Sequence, residues 1–204
     1  MTGDLITDQA ELDCRVRAYP LTPDSLVWIA GGWYGAQTKW FSDFYRCYVR
    51  AFEPQTKPYQ ALEKLMQDGS QSKIKVYNYG LGDKDGFFQM CKPDTDACSF
   101  IIHDSVTTVP GPYVLGEMRD IAHEFENDIE NVDLFLMNME GYELILLPHL
   151  MQTGLISRFD ILMVQFHLGW EGGAAYPQLR EDMLMTHNLL WEYRTPAWVV
   201  WKRK

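Results

Sequence analysis

Apolar runs of strand length alternate with segments of helical periodicity along most of the chain. Residues 25–30 (SLVWIA) are almost wholly apolar and run into Gly31, Gly32 and Gly35, which predicts a buried strand. Beyond them Trp40, Phe41, Phe44 and Tyr45 recur on one helical face. Residues 48–52 predict a second strand ending at Glu53-Pro54. Tyr59, Leu62, Leu65 and Met66 then mark a second helix, with Gly69 placed to end it. Residues 73–79 (KIKVYNY) alternate as a third strand. Residues 132–139 and 159–166 predict a fourth and a fifth, the fifth so apolar that it belongs at the centre of a sheet. Leu144, Leu147, Leu150 and Met151 mark the helix between these two. A helix from Tyr176-Pro177 to about His187 follows. Residues 189–193 and 197–202, joined by Arg194-Thr195-Pro196, read as a closing antiparallel hairpin.

Between the third and fourth strands the pattern breaks. Gly82, Asp83, Asp85 and Gly86 are turn formers, and residues 87–90 predict a short antiparallel strand. Residues 104–116, with Pro110-Gly111-Pro112, predict a loop, and Met118, Ile121, Ala122 and Phe125 an amphipathic helix. Residues 168–175 (LGWEGGAA) predict a second loop. Strand–helix alternation of this kind defines an α/β fold. The expected architecture is Rossmann-like: a seven-stranded, mostly parallel sheet with helices on both faces and a C-terminal antiparallel hairpin. A chain of 204 residues suits one core, expected over residues 25–204 after an N-terminal extension of residues 1–24.

Charge narrows the partners. Eighteen Lys and Arg against 28 Asp and Glu leave a net charge of −10, which argues against a nucleic-acid backbone or an anionic membrane surface. The apolar runs are too broken by charge to span a bilayer. The first fifteen residues lack a cationic segment followed by an apolar one, so a cytoplasmic location is expected. Cys14, Cys47, Cys91 and Cys98 form no C-x-x-C pair and read as reduced thiols, with no metal site expected.

In open α/β sheets ligands bind beyond the carboxyl ends of the strands, where strand order reverses. The first strand ends in Gly31-Gly32-Trp33-Tyr34-Gly35, where small residues admit a ligand close to the backbone. Glu53 ends the second strand, at a distance from the glycines suited to a carboxylate that accepts both hydroxyls of a ribose. The fourth strand ends in Asn138-Met139-Glu140-Gly141-Tyr142-Glu143. Asn138 and Glu140, two apart on an extended chain, can face the same way. Glu143 falls in the first turn of the next helix, where its charge suits the dipole. His167, at the end of the fifth strand, is a candidate proton acceptor near neutral pH. His103, His123, His149 and His187 have no partner pattern.

Taken together, the glycines after strand one, Ala51-Phe52-Glu53-Pro54, Leu81-Gly82-Asp83-Lys84-Asp85-Gly86, Ser99, and Asn138 to Glu143 followed by Leu147 resemble the FkbM-type methyltransferases. That resemblance covers about residues 27–167. It implies a seven-stranded α/β enzyme that uses S-adenosylmethionine to methylate hydroxyl groups of small molecules or sugars. Gly31, Gly32 and Gly35 would pass the methionine part of the cofactor, Glu53 would hold the ribose, and Gly82 and Asp83 would lie near the adenine. Asn138 would orient cofactor or acceptor, and Glu140 or His167 would accept a hydroxyl proton. Three carboxylates of the family pattern are absent: Ile29 and Asn138 stand where aspartate is usual, and Gln165 where glutamate is usual. Trp33 replaces an asparagine and Leu136 a lysine. These departures motivate a second expectation, a binding or interaction module that kept the fold and lost the activity. A nicotinamide-dependent dehydrogenase fits less well, because the glycines do not spell G-x-G-x-x-G.

Overall fold

The computed structural model describes residues 4–6, 8–67, 73–100, 114–126, 131–169, 173–193 and 198–204. Its main sheet contains β2 (Leu26–Ala30), β3 (Tyr48–Phe52), β4 (Ile74–Tyr77), β8 (Val132–Met137), β9 (Phe159–Gln165), β10 (His187–Tyr193) and β11 (Trp198–Arg203). An edge strand, β1 (Asp4–Ile6), completes it. Read across, the order is β4-β3-β2-β8-β9-β11-β10-β1. β4, β3, β2, β8 and β9 pair in parallel. β11 runs against both its neighbours, β9 and β10. The expected seven strands and the C-terminal hairpin are therefore present.

The eighth strand is an addition. β1 pairs with β10, and α1 (Gln9–Arg17) follows it, capped by Asp8, whose side chain accepts from Ala10 N. Leu12 of α1 is buried with Phe41 and Leu136, so the N-terminal extension shares the core of the sheet. Four further helices cover the two faces: α2 (Ala36–Tyr45), α3 (Thr56–Gln67), α4 (Glu143–Gln152) and α5 (Tyr176–Thr186). None of the described helices is long and apolar enough to cross a membrane.

Alternation along the parallel strands splits the core between the two faces. Val27 and Ile29 pack with Phe41 and Leu62 on one face. Trp28 packs on the other, its ring centroid 5.6 to 6.0 Å from those of Phe52, Phe135 and Phe159.

A small second sheet replaces what the sequence pattern suggested for residues 114–125. β7 (Val114–Asp120) pairs antiparallel with β6 (Gly86–Met90) and parallel with β5 (Gly80–Gly82). The expected amphipathic helix over Met118 to Phe125 is thus a strand that ends in one 3-10 turn, Ile121–Phe125. Asp120 stops the strand by accepting a hydrogen bond from Ala122 N at 2.9 Å. Met118 and Ile121 are both buried, so the apolar spacing is satisfied by a strand and a turn instead of a helix face. The third strand also stops early, at Tyr77, before the chain turns into β5. Gly69, His103, most of the 104–116 loop, Trp170 and the turn Arg194-Thr195-Pro196 lie outside the described residues.

Candidate functional site

The chain leaves β2 toward β3 and β4 on one side and returns through β8 and β9 on the other, so strand order reverses between β2 and β8. A cavity of about 520 Å³ opens at that point, at the carboxyl ends of β2, β3 and β8. Gly31, Gly32 and Trp33 form one wall, Glu53 and Gln55 a second, and Asn138 and Glu140 a third. Cys98, Ser99 and Phe100, from the segment after β6, close it.

Three strand ends are laced together here. Gly31 N and Gly32 N both donate to Phe52 O, at 3.0 and 3.1 Å, and Asn138 N donates to Ala30 O at 3.0 Å. Gly31 has φ +83°, and a β-carbon on it would lie 1.9 Å from the carbonyl oxygen of Asn138, so only glycine fits. Two bulkier residues at the cavity also hold left-handed backbone, Trp33 (φ +45°) and Glu140 (φ +52°). Such conformations cost energy and persist where the surroundings impose them. At Trp33 the surroundings include Glu53, whose Oε2 accepts from Trp33 N at 2.8 Å.

Glu53 is 3% exposed, and its Oε1 accepts from Gln55 N at 2.9 Å. Burial pushes its carboxyl up to about 7, against the lowering effect of the hydrogen bonds from Gln55 and Trp33. Each oxygen uses one lone pair on the backbone and keeps another, so the group can still accept from a diol. Asn138 supplies the complementary feature. Its Oδ1 is buried and has no hydrogen-bond partner among the described residues, so it can accept from a donor that a ligand brings.

Charge on the walls is one-sided. Glu53, Asp96 and Glu140 line the cavity, and no Lys, Arg or His does so among the described residues. Asn138 and Gln165 add uncharged polar groups to the same walls. Cys98 offers no nucleophile, since burial first, and then nearby Glu53 among other anions, pushes its thiol up to about 12.

Glu140 is tied from behind. His167 Nε2 lies 3.1 Å from Glu140 Oε1, and His167 Nδ1 lies 3.1 Å from Glu143 Oε1. Burial alone would lower the imidazolium, yet the hydrogen bonds and charges of the two glutamates outweigh it and push the ring up to about 9. Both ring nitrogens are engaged, and the two glutamates favour the protonated ring. That differs from the free acceptor of protons expected from the sequence.

The remaining candidates stand one step back. Gly35 caps α2 in left-handed backbone, Gly82 packs under Met118, and neither is a cavity wall. Asp83 is also off the wall, but it accepts from Tyr142 OH at 2.6 Å, and Tyr142 lines the cavity. Sequence reasoning missed Gln37, Gln55, Asp96 and Tyr142 as walls. Tyr142 lay within a motif already singled out. The others follow strand ends without any motif of their own.

No protein-family model matches the chain, and no curated protein sequence is similar to it. Solved structures are. An rRNA methylase from Streptococcus thermophilus has 11% identity and a TM-score of 0.54 over 97% of this chain and 98% of that one. A methyltransferase-class protein from Streptococcus mutans, solved with S-adenosylhomocysteine, has 10% identity and a TM-score of 0.54 over 98% and 99%. Precorrin-6y C5,15-methyltransferase from Geobacter metallireducens has 10% identity and a TM-score of 0.53 over 100% and 93%. At these identities the likeness shows the fold: this chain has the Rossmann-like fold of the methyltransferases.

Proposed function

We propose that the chain is an S-adenosylmethionine-dependent methyltransferase of FkbM type, acting on a hydroxyl group of a small molecule or sugar. The observation that carries this reading is the acidity of the cavity: three acidic side chains, and no Lys, Arg or His among its described walls, at the switch point of a methyltransferase fold. Such walls suit a sulfonium and repel the pyrophosphate of a nicotinamide dinucleotide. The S-adenosylhomocysteine seen in the Streptococcus mutans structure fits the same reading.

The residues present suit the cofactor. Glu53 keeps two lone pairs for the ribose hydroxyls, Gly31 and Gly32 let the ligand reach the backbone, and Asn138 Oδ1 offers a buried acceptor. Gly35 shapes this wall by starting α2, while Gly82 and Asp83 support it through Met118 and Tyr142. S-adenosylmethionine supplies an already activated methyl group, which leaves the protein to align the acceptor and take its proton. Glu140 is the wall carboxylate assigned to that proton, Asn138 orients the acceptor, and His167 acts through Glu140.

A small acceptor is favoured over RNA because the chain carries −10 and three of its acids line the cavity. Thermal unfolding with added ligand tests the reading. S-adenosylmethionine and S-adenosylhomocysteine should each raise the midpoint, and NAD should not. Stabilisation by NAD alone, or by none of them, would reject it. Binding without methyl transfer to any hydroxylated acceptor would favour the module that lost its activity.

A further inference from the structure

Behind the cavity wall, Glu143 is fully buried in the first turn of α4. Its Oε2 accepts from Gly141 N at 2.9 Å, and its Oε1 accepts from His167 N at 2.7 Å as well as facing His167 Nδ1. A carboxylate so enclosed is costly unless fully paired, and these contacts pair it. They fix the end of β9 to the start of α4 and hold the imidazole ring in one orientation. The other ring nitrogen then holds Glu140, the only member of the three on the cavity wall.

We propose that Glu143 and His167 are positioning residues that fix the Glu140 carboxylate on the wall, and that this fixed anion makes the site prefer a sulfonium to a thioether. The inference rests on the reading that the cavity takes S-adenosylmethionine. Its consequence is specificity between cofactor and spent product, which differ by one methyl group and one positive charge. A preorganised carboxylate distinguishes them by charge, whereas packing around the rest of the molecule cannot.

The test is a ratio. Calorimetric titration of the full chain with S-adenosylmethionine, and separately with S-adenosylhomocysteine, gives two dissociation constants whose ratio cancels the parts common to both. Glu140→Gln keeps the shape of the side chain and removes its charge. It is expected to weaken the sulfonium ligand about tenfold and the thioether less than about twofold. Equal losses, or no loss, would overturn the proposal.

The positioning step is read from the pH dependence of that ratio, together with the NMR titration of the His167 ring. Among the described residues Glu140 and Glu143 are the charges that bear on the ring. Above the ring's ionisation an adjacent cation is lost, so the preference for the sulfonium rises, near pH 9 in the native chain. Glu53, which ionises near pH 7, adds a lower rise common to all variants that keep it. Glu143→Gln should move the ring titration and the upper rise together to lower pH, with the lower rise in place. An unmoved profile in a folded Glu143→Gln chain would overturn the role of Glu143. If circular dichroism shows that variant unfolded, His167→Gln decides instead: the upper rise should vanish, and its persistence would overturn the role of His167. Should neither ligand bind the native chain, the methyltransferase reading itself fails. Should both bind with a ratio indifferent to Glu140, this inference alone fails.

Discussion

The carbonyl oxygen of Asn138 occupies the space that a β-carbon on Gly31 would need, with 1.9 Å between them. The carboxyl ends of β2 and β8 meet at this contact, and Gly31 and Asn138 both line the cavity. Gly31→Ala would have to move backbone against backbone and would also force alanine into φ +83°. The variant should lose at least about 2 kcal/mol, a fall of roughly 4–8 °C in thermal midpoint for a chain of this size. Differential scanning calorimetry measures it, and a midpoint within about 1 °C of the native value would refute the close approach.

Glu53 gives the fold a pH signature. Its carboxyl is raised to about 7 in the folded chain, above the ordinary carboxylate range. Between those two values the folded state binds more protons than the unfolded one, so stability falls as pH rises. Glu53→Gln removes that loss. Compared with the native chain, the variant should gain about 2–3 kcal/mol between pH 5 and pH 8 in urea unfolding. Parallel pH profiles for the two chains would remove the assigned shift.

Asp83 serves the cavity through Tyr142, whose hydroxyl donates to it at 2.6 Å. Tyr142→Phe and Asp83→Asn should therefore have matching effects on S-adenosylhomocysteine affinity, each within about threefold of the native chain. If Asp83 held the cofactor directly, Asp83→Asn would lose about tenfold or more while Tyr142→Phe stayed near native. Calorimetry on the two variants separates the cases.

The acceptor class makes a separate prediction, because the chain shares its fold with an rRNA methylase. A protein of charge −10 has no general attraction to a phosphate backbone. In a filter-binding assay at about 0.15 M salt, structured RNA should not be retained below about 10 μM protein. Retention at nanomolar protein would overturn the small-acceptor reading.

The sequence pattern made β2, β3, β8 and β9 legible because buried parallel strands are nearly continuous apolar runs, and it made Glu53 legible because it stands at a strand end. β7 was not legible. Met118, Ile121 and Phe125 carry helical spacing, and the pairing that makes the segment up to Asp120 a strand comes from β6 and β5, twenty-four to thirty-eight residues away in sequence. Glu143 was read from its place in a helix first turn, which is correct locally. Its main partner, His167, is twenty-four residues on, and no local pattern reveals that pairing. The same contact engages one nitrogen of His167, the proton acceptor expected at a strand end, while Glu140 engages the other.

Calorimetric titration of S-adenosylmethionine into the native chain and into Glu53→Gln tests the central claim most directly. The account predicts saturable one-to-one binding to the native chain, with affinity at least about tenfold weaker in the variant, since the neutral amide cannot accept from both hydroxyls of a ribose. No binding to the native chain, or equal affinity in the two, would contradict it.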